Sequence, residues 1–171
     1  MDGKTKSDII ILTIGIIIGA ALSLSNSLFI YNMTLNKDRS DVTEGLYLDV
    51  SSLRDNLVAT DQNFLANPGD NYIYVQATPL YPAKGLYFAY MQDIPTMNRK
   101  SAQDTVIFYN HLLAAEGDRS LIFDIQRLGD QRELTLSELK RQQILTRDAA
   151  REVNLSVNLL PNLTKELDAA K

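Results

Sequence analysis

The single histidine, His111, is the residue best suited to proton transfer or metal ligation near neutral pH. Its acidic neighbours in sequence are Asp104, seven positions before it, and Glu116, five after. Neither interval is a ligand spacing of the zinc or metalloprotease type. Beside Leu112, His111 reads as a packed or boundary residue. "GDRS" at 117–120 and "LGDQ" at 128–131 are turn-like and lack the glycine pattern that cradles phosphate. No serine stands in a nucleophile-elbow context. The chain has no cysteine, which excludes thiolate nucleophiles, disulfides, cysteine-ligated zinc and iron–sulfur clusters. Asp and Glu number 21, but the sequence singles out no pair for acid–base work. The expectation is therefore no enzyme, with no catalytic, cofactor-binding or metal-ligating residues and no cofactor. A net charge of −4 argues against a general nucleic-acid binder, which usually presents a basic face. "NRK" at 98–100 is a short basic spot at a helix start and reads as solvated.

With no reactive constellation, function has to be sought in the elements themselves. Ile9 to Tyr31 contains 23 residues without a charge. As a helix it would be about 34 Å long, enough for the hydrocarbon core of a bilayer. Lys4 and Lys6 precede it, and Asn32, Asn36, Lys37, Asp38 and Arg39 follow. Three parts are expected: a polar tail at 1–8, a transmembrane anchor at 9–31 and a helical extramembrane domain at 32–171. A cleaved signal peptide ending near Ala21–Ser23 is the rival reading, and "LFIY" at 28–31 extends the apolar run past that site. The amino terminus and flanking lysines favour a single-pass chain with its C-terminal domain outside the cytoplasm. Gly15, Gly19, Ser23 and Ser27 recur every fourth residue. That spacing makes a small-residue stripe of the kind that lets two membrane helices approach closely.

Beyond the apolar head the pattern is helical. Over 35–66, Leu46, Val50, Leu53, Leu57, Thr60 and Phe64 follow a 4-3-4-3-4 spacing, with Asp49, Arg54, Asp55 and Asp61 assigned to the opposite face. This helix continues the first or is set off by a break near 32–40. Gly45 weakens it by about 1 kcal/mol relative to Ala. "NPGDN" at 67–71 ends it. "YIYVQA" at 72–77 reads as an extended connector or short strand, and 86–91 as a short apolar helix closed near Pro95. Over 96–128, Met97, Ser101, Thr105, Phe108, Leu112, Ala115, Ile122 and Ile125 share a side, with a kink or split expected at Gly117 and a stop at Gly129. "TLSE" at 135–138 fits a capping box. It opens a last helix with Leu139, Leu145, Ala149, Val153, Val157, Leu160, Leu163 and Leu167 inward. Pro161 is expected to end or kink that helix near Asn158.

The fold class expected is thus mainly α: one N-terminal transmembrane helix, then an antiparallel bundle of three to four helices with a short Tyr-rich connector. Tyr72, Tyr74, Tyr81, Tyr87 and Tyr90 concentrate aromatics in that connector. They read as core filling, as an interfacial patch, or as a partner or ligand surface. The expected function is a membrane-anchored structural or interaction module. Its partners would be the lipid bilayer and a protein or further copies of itself, with no nucleic acid. The alternative is a membrane-anchored ligand-sensing domain built on the Tyr-rich 72–90 region.

Overall fold

The computed structural model describes residues 3–66, 79–82 and 85–170, with side chains from Ser25 onward except those of Asn26 and Leu35. Among these residues the chain is helical without strands: α1 (Gly3–Ala66), α2 (Leu86–Tyr90), a 3-10 turn (Ile94–Thr96), α3 (Arg99–Gly129) and α4 (Leu136–Ala169). "YIYVQA", with Tyr72 and Tyr74, lies outside the described residues. The chain divides into two units, Met1–Arg39 and Ser40–Lys171. Residues 3–39 of the first belong to α1.

Among the described residues no helix is long and apolar enough to cross a membrane. The expected single-pass localisation is corrected accordingly. A span needs about 20 mainly apolar residues. Where α1 side chains are described, the run Leu28–Tyr31 meets Asn32 at once and Asn36, Lys37, Asp38 and Arg39 within two turns. The side chains of 9–24, including Gly15, Gly19 and Ser23, lie outside the described residues. Ser27 is exposed.

The second unit is a helical bundle, and the apolar periodicities build its core. In α1, Leu46, Val50, Leu57 and Phe64 are buried and Leu53 packs at the margin. In α3 and the turn before it, Met97, Ser101, Thr105, Phe108, Leu112, Ala115, Ile122 and Ile125 are all buried. In α4, Ala149, Val153, Leu160, Leu163 and Leu167 are buried, with Leu145 and Val157 against them. Each fully buried leucine contributes about 2 kcal/mol by removing its surface from water.

Helix ends follow the sequence signals. Asn98 Oδ1 accepts from Ser101 N at 2.8 Å and caps α3. Gly129 is the last residue of α3. Thr135 Oγ1 accepts from Glu138 N, and Glu138 Oε2 accepts from Thr135 N, which completes the capping box of α4. Arg132 grips the same carboxylate; with the Thr135 contacts it holds Glu138 down to about 2. Two expected interruptions do not occur. α3 runs through Gly117, and α4 runs through Pro161. Pro161 is exposed. Its missing N–H therefore falls on the solvent side, where water can serve the Val157 carbonyl.

Cross-helix contacts give the directions. Lys100 pairs with Glu166, and His111 with Glu152, so α3 and α4 are antiparallel. Asn154 donates to Asp61, while Tyr47 and Arg54 face 160–168, so α4 is also antiparallel to α1. Hence α1 and α3 run in the same direction. This departs from the expected up-and-down order, in which short connections join antiparallel neighbours. The chain must return along the bundle between Ala66 and Arg99. Of the described residues, 80–82 and 85–97 lie on that return and are called the strap: Leu80 lies at Glu116, Tyr81 at Asp49, and Tyr90 at Gly45.

Gly45 and Gly117 separate two roles of glycine. A Cβ at Gly45 would sit 2.4 Å from Cε2 of the half-buried Tyr90, whereas one at Gly117 meets nothing within 4 Å. Gly117→Ala is predicted to stabilise the protein by about 0.5–1 kcal/mol through helix propensity alone. Gly45→Ala is predicted to destabilise by about 1 kcal/mol, because overpacking against Tyr90 outweighs the propensity gain. In a Tyr90→Ala background the same substitution should become stabilising. Urea denaturation of the four variants measures this directly.

Candidate functional site

The polar centre of the bundle is a carboxylate shared by two phenols. Asp49 Oδ2 accepts from Tyr81 Oη at 2.7 Å and from Tyr109 Oη at 2.7 Å. Tyr81 Oη in turn accepts from the backbone N–H of Tyr87 at 2.8 Å. Each of α1, the strap and α3 thus contributes one member. The rings pack as tightly as the hydroxyls: Tyr87 stacks on Tyr109 at 4.1 Å between centroids, and Tyr81 lies 5.4 Å from Tyr109. Gly85 permits this approach, since a Cβ there would fall 2.1 Å from the Tyr81 ring. A second tie lies at Glu116. Its Oε2 accepts from Leu80 N at 2.7 Å, and Arg119, only 7% exposed, holds both oxygens in a fork.

These groups position the chain and are poorly suited to react. Burial pushes the Tyr81 and Tyr109 phenols well above 10.0, and the neighbouring Asp49 pushes them further; burial also raises Tyr87. They remain neutral donors rather than nucleophiles. Of the Tyr-rich set, the structure places Tyr81 and Tyr87 in the core and Tyr90 half-buried on α1.

The α3–α4 seam carries the remaining titratable groups. His111 Nδ1 lies 2.6 Å from Glu152 Oε2, and Arg151 holds the other oxygen at 2.8 Å. Burial raises Glu152, but the contacts with His111 and Arg151 prevail and hold it below the usual range. Burial, with Asp148 and Glu152 nearby, raises Asp118. Asp104 is raised by burial and by Glu166, which Lys100 also engages. Among the described residues no group of three or more such side chains could hold a metal ion.

One concave surface lies elsewhere. Tyr47 and Arg54 of α1 face Leu160, Pro161, Thr164, Lys165 and Asp168 of α4 across an open groove of about 410 Å³. Sequence reading placed Arg54 on a solvated face and did not connect it with Lys165. Nor did it find Asp49 as an acceptor, or Asp61, which is buried and bonded to Asn154. For Asp61 a signal existed: Leu57, Asp61 and Phe64 fall at i, i+4 and i+7 on one stripe.

Comparison with protein-family models, with curated proteins and with solved structures gave no match.

Because the folded form keeps the phenols neutral, their contribution is fully present below pH 10 and is lost as pH rises beyond it. Unfolding free energy should fall above that pH more steeply in the wild type than in the Tyr81→Phe/Tyr109→Phe double variant. At neutral pH, Tyr109→Phe should cost about 1.5–3 kcal/mol, the value of a buried bond to a charged acceptor. Chemical denaturation across pH checks both.

Proposed function

We propose that this chain is a helical interaction module that self-associates through α1, rather than an enzyme. One observation carries the reading. Leu28, Phe29, Ile30, Tyr31 and Met33 are each 56–62% exposed on α1. Successive helical positions turn by about 100°, so Leu28 to Tyr31 present apolar surface on every side. A helix segment apolar all round calls for a covering partner. The four-residue spacing of Gly15, Gly19, Ser23 and Ser27 in the same helix supports close helix–helix approach. On this reading the second unit is a stable body, and its partner is another copy of the chain.

The absence of native cysteine makes the test clean. The full chain carrying Ile30→Cys should form an interchain disulfide under mild oxidation at micromolar concentration. A control carrying Gln131→Cys, on the exposed α3–α4 connection, should not. Adding Leu28→Glu and Tyr31→Glu to Ile30→Cys should suppress the crosslink while the thermal melt is unchanged. A chain that sediments as a monomer, or whose band becomes covered only when lipid vesicles are added, would overturn self-association.

A further inference from the structure

The groove between α1 and α4 has features that the fold alone does not require. Leu160, Pro161, Thr164, Lys165 and Asp168 recur at i, i+1, i+4, i+5 and i+8 and so form one face of α4. Tyr47 and Arg54, two turns apart, form the facing rail of α1. Leu160 is buried and makes an apolar floor. Pro161 sits in the interior of a helix, where it forfeits a backbone hydrogen bond, and what it contributes is a rigid apolar ring on the groove wall. A local rule broken without any gain in packing is a mark of a functional surface.

Charge points to the ligand. Arg54 and Lys165 have no hydrogen-bond or ion-pair partner among the described residues, in a chain whose net charge is −4. Asp168 and Tyr47 are already engaged within the protein. Two open cations beside one carboxylate leave a single positive excess. That balance suits a monoanion better than a dianionic phosphate. The guanidinium of Arg54 offers a planar fork that matches a carboxylate, and Thr164 adds a hydroxyl donor. A groove of about 410 Å³ falls in the range of small-molecule sites.

We infer that the α1–α4 groove binds a small amphipathic carboxylate, its head between Arg54 and Lys165 and its hydrocarbon body on Leu160, Pro161 and the Tyr47 ring. This site lies in the second unit and is independent of self-association through α1.

The test is titration of the full chain with octanoate, followed by backbone amide shifts. Saturable shifts should centre on Tyr47, Arg54, Leu160, Thr164 and Lys165. Arg54→Gln and Lys165→Gln together should weaken binding by about tenfold or more. Both positions are exposed, so the thermal melt should be unchanged. Arg54→Lys should keep the site while weakening it. Octan-1-ol and inorganic phosphate, each carrying half of the chemistry, should not saturate it. The inference is overturned if octanoate gives no saturable shifts at millimolar concentration, if octan-1-ol binds equally well, or if the double variant binds as the wild type does.

Discussion

The constraint on which the bundle depends is a matter of direction. α1 and α3 run the same way, and the described residues between them, 79–82 and 85–98, carry only the short helix α2 and one 3-10 turn. The turns there close on their own carbonyls, while the N–H groups of Leu80 and Tyr87 are served by side chains. Asp49 serves the Tyr87 N–H indirectly, through Tyr81. One of its oxygens receives a phenol from the strap and a phenol from α3, and the strap phenol then accepts the backbone N–H of Tyr87. Glu116, held by Arg119, accepts the backbone N–H of Leu80 directly. The aromatic stack of Tyr81, Tyr87 and Tyr109 fills the space around these bonds. Gly45 and Gly85 are where the strap lies too close for a Cβ. Polar anchoring and apolar packing therefore act on the same few residues, which makes the strap sensitive to any one of them.

The parts of this fold written in periodicity were legible. Every position assigned to the inner stripe of α3 is buried, the Thr135–Glu138 box forms, and α3 ends at Gly129. These depend on residues within a turn or two of each other. Gly117 and Pro161 were misread as interruptions, because neighbouring packing and the exposure of Pro161 decide whether a local weakness becomes a break. Asp49 was unreadable for a different reason. On its own helix it borders the apolar stripe beside Val50. Its role is created by Tyr81 and Tyr109, 32 and 60 positions away. The parallel order of α1 and α3 has no local signature either, and the tyrosines that maintain it look from sequence like any aromatic patch. The membrane placement came from the length of one uncharged run. Among the described residues no helix is long and apolar enough to cross a membrane.

Two surfaces stand apart from this internal architecture. The band at Leu28–Tyr31 is apolar on all sides and uncharged, which suits a partner that covers it by area. The α1–α4 groove is small, bordered by two open cations, and suits a ligand chosen by charge and shape. They differ in unit, chemistry and scale. The strap crosses the second unit only.

Hydrogen exchange of an Asp49→Ala variant tests that central role most directly. In the wild type, the amides of Leu80 and Tyr87 donate to Glu116 and Tyr81 and should exchange slowly. With Asp49 removed, the Tyr87 amide and the strap around it should lose protection by local opening, while the amides of the α3–α4 hairpin keep most of theirs. Uniform loss across the whole bundle, or unchanged protection at Tyr87, would contradict the claim that this one carboxylate fastens the strap.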